Sequence, residues 1–260
     1  MTALLNVDNL SKNFGGVKAL QEVSFDINPG EIIGLIGPNG AGKTTLFNCV
    51  AGVDKPSAGT INFCSPGEEP KSIGGKKPEN VTALGIARTF QNIRLFDALT
   101  VLDNVKIGRH CRTTSNFLGA VLHTQKQQNE ETSVYDYAKK TLEFVGLVGH
   151  DHETASSLSY GDQRRLEIAR ALATGPKLLM LDEPAAGMNP QESASLMNLI
   201  FKIRDQGVTI LLIEHDMKVV MGVCDRVVVI NYGQWLAEGD PRDVAKNPKV
   251  IEAYLGGGTD

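Results

Sequence analysis

Two stretches of this 260-residue chain carry residues able to handle phosphate. The first is GLIGPNGAGKTTLFN, in which Gly37, Gly42, Lys43 and Thr44 fit the pattern G-x-x-x-x-G-K-[ST]. Gly37, Pro38, Asn39, Gly40, Ala41 and Gly42 form the candidate phosphate-binding loop. Gly40 and Gly42 let the backbone curl round phosphate oxygens where a Cβ would interfere. The N–H groups then converge on the anion at the start of a helix that opens with Lys43, Thr44 and Thr45. Lys43 is placed to neutralise β- and γ-phosphates, and the Thr44 hydroxyl to ligate Mg²⁺. The second stretch is KLLMLDEP. Its apolar residues Leu178 to Leu181 read as a strand that fixes Asp182 at its end. Asp182 can hold a metal through water, and Glu183 can act as base on an attacking water.

The elements that must position these residues are legible from periodicity. EIIGLIG, KLLMLD, VTILLIE and DRVVVIN are apolar, β-branched runs that read as buried strands. The first three each lead through a turn into a helical pattern, which implies a parallel sheet covered by helices. LLNVDNL, VSFDINPGE and GTINF alternate in polarity and read as antiparallel strands. Between Asn92 and Ser157 strand signals stop. TVLDNVKIGRH and SVYDYAKKTLEFVGLV have helical spacing, with Thr100 as an N-cap and Asp103 three residues on. CSPGEEPKSIGGKKPEN reads as an exposed loop.

Composition narrows the class. Hydrophobic residues make up 42% of the chain, enough for a substantial core, and the net charge is -4 with a pI near 5.8, which speaks against a protein that coats nucleic acid. Cys49, Cys64, Cys111 and Cys224 stand far apart and read as free thiols of a reducing compartment. His150 and His152 read as a solvated pair. MTALLNVDNL lacks the pattern of a secretory leader. No apolar run approaches the roughly 18–20 residues of a membrane span. The expectation is a protein that is soluble or peripheral to a membrane through a partner.

A third feature needs its own explanation. SLSYGDQRRLEIARAL places a small residue and a glycine at the start of a helix with a basic, polar face, which is a second anion-facing device. LSYGDQRRLEIARAL just before LLMLDEP resembles the signature of ATP-binding cassette (ABC) ATPases, and the order of motifs along the whole chain is similar to that family. The resemblance places Phe14 as the aromatic that stacks on adenine. It places Gln91, in ARTFQNIRLF, at the entry to the helical subdomain and on the Mg²⁺. PAAGMNP, with Asn189, matches the loop after the catalytic glutamate, and His215, in LLIEHDM, the histidine that touches the γ-phosphate. The same resemblance implies that Ser159, Tyr160 and Gly161 cap the ATP of a partner cassette in trans. Asp162 departs from the commonest signature and is expected to turn back as a helix cap.

The implied fold is α/β: a RecA-like P-loop NTPase core with an antiparallel β subdomain and an inserted α-helical subdomain. The expected limits are 1–91 and 165–260 for the core, and 92–164 for the helical subdomain carrying the signature loop. The implied activity is ATP hydrolysis, with ATP and Mg²⁺ as cofactors and Glu183 and His215 as catalytic residues. IARTFQNIRLF, SYGDQRRLEIARAL, LDEPAAGMNP, LLIEHDMKVVM and GDPRDVAKNPKVIEAYLG look closest to importers of branched-chain or other neutral amino acids. Cassettes for urea or amide import, for lipopolysaccharide export, and non-transport cassettes stay open. The implied partners are a second cassette, identical or not, a membrane permease and, indirectly, a solute-binding protein, with no nucleic acid. The permease would dock beside Gln91, where Ile93, Leu95 and Phe96 are exposed. The implied location is the cytoplasmic face of the inner membrane, as a peripheral subunit.

Overall fold

The computed structural model describes residues 3–112 and 125–255; part of the expected helical insertion, residues 113–124, lies outside them. The chain forms two compact units, Met1–Arg88 with Lys177–Asp260, and Thr89–Pro176. The sequence-based limit at residue 164 falls inside a helix that the second unit contains whole.

The first unit holds two sheets. One is antiparallel, in the order β2-β1-β4-β5, from β1 (Leu5–Phe14), β2 (Val17–Ile27), β4 (Ala58–Phe63) and β5 (Lys71–Ser72). The other runs β10-β9-β3-β8-β7-β6. Its members are β3 (Ile32–Ile36), β6 (Ile86–Arg88), β7 (Leu178–Asp182), β8 (Thr209–Ile213), β9 (Arg226–Asn231) and β10 (Gln234–Gly239). The pairs β9–β3, β3–β8, β8–β7 and β7–β6 are parallel, and β10 runs antiparallel, as a hairpin partner of β9. Every residue of β3, β7 and β8 is buried. This is why those segments read as continuous apolar runs: strands covered on both faces need no polar alternation.

Helices α1 (Lys43–Val50), α2 (Pro78–Leu84), α6 (Pro190–Asp205), α7 (Met217–Val223), α8 (Pro241–Val244) and α9 (Pro248–Leu255) complete this unit. One apolar core joins the two sheets through α1: Leu46, Phe47 and Val50 of the helix pack with Leu5, Leu20, Phe25 and Ile61 of the first sheet and Leu35, Met180 and Leu211 of the second. The expected loop 64–80 is more structured than its Gly, Pro and charge content implied. It contains β5, the fully buried Ile73 and the start of α2, because Lys71–Ser72 find a free edge on β4 and Pro78 suits a first helical turn.

The second unit packs α3 (Val101–Arg109), α4 (Gln125–Val145) and α5 (Tyr160–Ala173) together. Thr100 caps α3, its hydroxyl accepting the Asp103 N–H at 3.0 Å. Gly108 lets α3 approach α5 closely: a Cβ there would lie 2.3 Å from the Arg170 carbonyl oxygen.

Candidate functional site

The phosphate-loop residues lie between β3 and α1. Gly42 stands in the N-cap position of α1 with φ 101°, a conformation that side chains resist. A Cβ on Gly37 would fall 2.1 Å from the Ile230 carbonyl oxygen, and one on Gly42 2.6 Å from that of Ala19. The glycines therefore answer to tight backbone packing as well as to a ligand. The β9–β10 hairpin braces the same loop, since the Gly233 N–H donates to the Ala41 carbonyl at 3.0 Å. Gly42 has no side chain with which to cap α1, and the first turn of the helix carries no acid. A helix start of this kind favours an anion through its leading N–H groups and partial positive charge. Lys43 is buried, and its Nζ donates to the carbonyls of Gly37 at 2.6 Å and Pro38 at 2.9 Å. Burial lowers the pKa of this ammonium, while Glu183 and Asp182 act to raise it. The fields of the two carboxylates therefore reach the loop lysine.

Those carboxylates stand at the end of β7, paired in register with β8 so that Asp182 lies opposite Ile213. Asp182 is 3% exposed, and its Oδ2 accepts from Arg88 Nη2 at 2.8 Å. Arg88, on β6, also donates to Asn48 Oδ1 of α1 at 2.6 Å. It ties the acid to the helix that follows the phosphate loop. Sequence reasoning did not single out Arg88, and a lone arginine on a three-residue strand gives no signal. Glu183 takes φ 45°, a left-handed conformation that is costly for a side-chain-bearing residue and characteristic of functional turns. Its N–H donates to the Ile213 carbonyl at 3.0 Å, and its Oε2 lies 3.5 Å from Nδ1 of His215. The structure thus brings Lys43, Asp182, Glu183 and His215 together at the C-terminal ends of three adjacent parallel strands. In open α/β sheets ligands bind there. Thr44 and Asp182 offer hydroxyl and carboxylate oxygens, which are hard donors that fit Mg²⁺.

Phe14 ends β1 at a tight turn into β2 and is 47% exposed, with Lys12 Nζ 4.6 Å from its ring centroid. Asn189 caps α6: its Oδ1 accepts the N–H groups of Gln191 and Glu192 at 2.9 Å each, and Glu192 returns a bond to the Asn189 N–H. An amide fills this capping role without a charge.

The second unit carries Gln91 and the signature residues. Ser159 is the N-cap of α5, accepting from the Asp162 N–H at 3.2 Å and donating its hydroxyl proton to Asp162 Oδ2 at 2.7 Å. Asp162 therefore turns back on its own helix. Tyr160 is exposed and Gly161 buried. The helix departs from the expected basic, polar face: Arg164 and Glu167 are 0% and 1% exposed. Arg164 donates to the carbonyls of Phe90 at 2.6 Å and Gln91 at 2.8 Å and to Glu167 at 2.8 Å. Glu167 Oε1 accepts the N–H groups of Phe90 and Arg94, both at 3.3 Å. This pair anchors the Gln91 segment to the signature helix. The only trace of it in the sequence is the i, i+3 spacing of opposite charges among apolar neighbours. Phe96 is exposed, whereas Ile93 and Leu95 are half-buried, so only part of the expected apolar patch faces outward.

Residues 20–186 match the family model of the ABC transporter. The chain belongs to the ABC transporter ATPase family. Residues 236–260 of the cassette match a second model, the branched-chain amino acid ATP-binding cassette transporter. The cassette is 46% identical to the high-affinity branched-chain amino acid transport ATP-binding protein LivG of Escherichia coli (strain K12), over 97% of this chain and 98% of that one. It is 45% identical to BraF of Pseudomonas aeruginosa, named for the same transport, with the same coverage. Among solved structures, the ADP conformation of an ATP-binding cassette of an ABC transporter superposes with a TM-score of 0.84. The two are 36% identical, over 98% of this chain and all of that one. The cassette therefore falls in the LivG/BraF group and has the ABC ATPase fold. Among the described residues no helix is long and apolar enough to cross a membrane.

Proposed function

We propose that this cassette binds ATP with Mg²⁺, pairs head-to-tail with a second cassette, and powers import of branched-chain amino acids through a separate permease. The observation that carries the cargo is the near-full-length similarity to LivG and BraF, joined by the match of the C-terminal segment to the branched-chain amino acid model. In this reading the first-turn N–H groups of α1 and Lys43 hold the triphosphate, and Phe14 stacks on the adenine. Thr44 and Asp182 would hold Mg²⁺, with Gln91 a further ligand by resemblance to the family, and the ion would supply positive charge against the phosphates. Glu183 takes a proton from the attacking water and His215 contacts the γ-phosphate.

Ser159, Tyr160 and Gly161 serve the ATP of the other cassette, so nucleotide binding closes the pair and loss of the γ-phosphate opens it. A ligand common to both partners can drive such a cycle because its binding energy is available only in the closed state. The permease docks on the Gln91 segment near Phe96, and the solute-binding protein acts on the permease. The chain touches no nucleic acid. It sits peripherally at the cytoplasmic face of the inner membrane. The test is ATP hydrolysis by the complete transporter in proteoliposomes with its solute-binding protein. Stimulation by leucine, isoleucine or valine supports the reading; stimulation by urea or amides alone overturns the cargo.

A further inference from the structure

Glu214 follows β8 and precedes His215, and its side chain is 1% exposed. The described geometry of its carboxylate is made with backbone amides. Oε1 accepts the Ala185 N–H at 3.0 Å and Oε2 the His215 N–H at 3.3 Å. Burial raises its pKa, against the pull of the surrounding N–H groups. A buried carboxylate is expensive to keep, so its contacts merit a reason beyond filling space.

The reason lies in what the two amides belong to. Glu183 sits in a left-handed conformation at φ 45°, and such a turn persists only when its surroundings over-determine it. Two consecutive residues of the neighbouring strand end supply that constraint. The Ile213 carbonyl holds the Glu183 N–H at 3.0 Å, and the Glu214 carboxylate holds the N–H of Ala185, two residues further on. The other carboxylate oxygen holds the N–H of His215, whose imidazole faces Glu183 at 3.5 Å. We propose that Glu214 is a positioning residue for ATP hydrolysis, a buried strut that locks the turn carrying Glu183 to the loop carrying His215. A glutamine of the same shape does not substitute. It offers one acceptor oxygen and turns an N–H₂ group toward the second amide donor. The proposal rests on Glu183 being the general base.

The experiment compares Glu214→Ala and the isosteric Glu214→Gln with wild type in kcat, KM, ATP affinity and thermal unfolding. Each is also built in the Glu183→Gln background. Misplacement by about 1 Å costs up to roughly 100-fold in rate. The expected result is a kcat loss of about 10–100-fold with ATP affinity within about 3-fold of wild type. A residue that acts through Glu183 loses its effect once Glu183 is gone, so the residual rate of Glu183→Gln should change less than about 3-fold on adding Glu214→Ala. An equal fold-loss in both backgrounds shows a merely structural role and overturns the proposal. So does a kcat within about 2-fold of wild type for both Glu214 variants. Val220→Ala, at a fully buried site on α7 just downstream, is the matched stability control; a comparable kcat loss there also overturns it. If Glu183→Gln itself turns over ATP normally, the base assignment fails, and the strut proposal falls for that separate reason.

Discussion

Removing Arg164 tests how the signature helix and the Gln91 segment are joined. Its guanidinium is fully buried and donates to two carbonyls and one carboxylate within the same unit. Arg164→Met keeps much of the volume but leaves Glu167 as a buried charge without its cation, a loss of about 3–5 kcal/mol. Glu167→Met should cost a similar amount, since it leaves the guanidinium unpaired. In the double variant neither charge remains, but the carbonyls of Phe90 and Gln91 still lack their donor, at about 1–3 kcal/mol each. The double variant should therefore fall well short of the sum of the singles, by about 2 kcal/mol or more.

Urea unfolding of the four proteins measures this coupling, with m-values checked for constancy. Additivity within about 0.5 kcal/mol would refute the idea that the pair acts as one unit. The pH dependence gives a second check. Burial is the largest influence on Glu167 and raises its carboxyl above the usual 4.5, with Arg164 the chief opposing charge. A raised folded-state value means the folded protein holds a proton that the unfolded chain has already lost. Stability then falls as pH rises from 4.5 through the folded value. Without Arg164 that value climbs further. Arg164→Met should therefore regain stability on going from neutral pH to about pH 5.5, more than wild type does. An unchanged deficit would place the cost in lost packing instead.

Lys43→Ala should abolish tight ATP binding in a nucleotide titration, while leaving the cooperative unfolding transition in place. Glu183→Gln should slow hydrolysis by roughly 10²–10⁴-fold with ATP still bound and the pair closed, as read by single-turnover kinetics and gel filtration. Asp162→Asn should weaken the grip on the Ser159 hydroxyl, now bonded to the carboxylate at 2.7 Å. It should tighten ATP-dependent pairing of the Glu183→Gln chain several-fold, measured by sedimentation, and lower stability by about 0.3–1 kcal/mol through loss of charge at the helix start.

The candidate nucleotide-site residues could be named from the sequence because each group of them is local. The glycines and Lys43 fall within eight positions, and Asp182 and Glu183 follow one apolar strand. What it did not carry is long-range. Arg88 reaches Asp182 across 94 positions, and Arg164 reaches Phe90 across 74. Such contacts follow from strand order and helix packing, which no single window records. Glu214 was hidden differently: it was read only as the last residue of the apolar run VTILLIE, which gives no sign of the amides its carboxylate holds. β6 and β10 were missed for a simpler reason. A three-residue strand has no period to detect, and β10 is an edge strand with three of its six residues exposed.

The most direct measurement mixes two defective chains. Lys43→Ala keeps its signature loop and Ser159→Arg keeps its phosphate loop, so each alone should hydrolyse almost no ATP. An equimolar mixture should regain one intact composite site per mixed pair, about a quarter of all sites if pairing is random. Recovery of activity on mixing is the predicted result. A mixture no more active than its components, or a verified monomer of wild-type chain hydrolysing ATP at full rate, would contradict it.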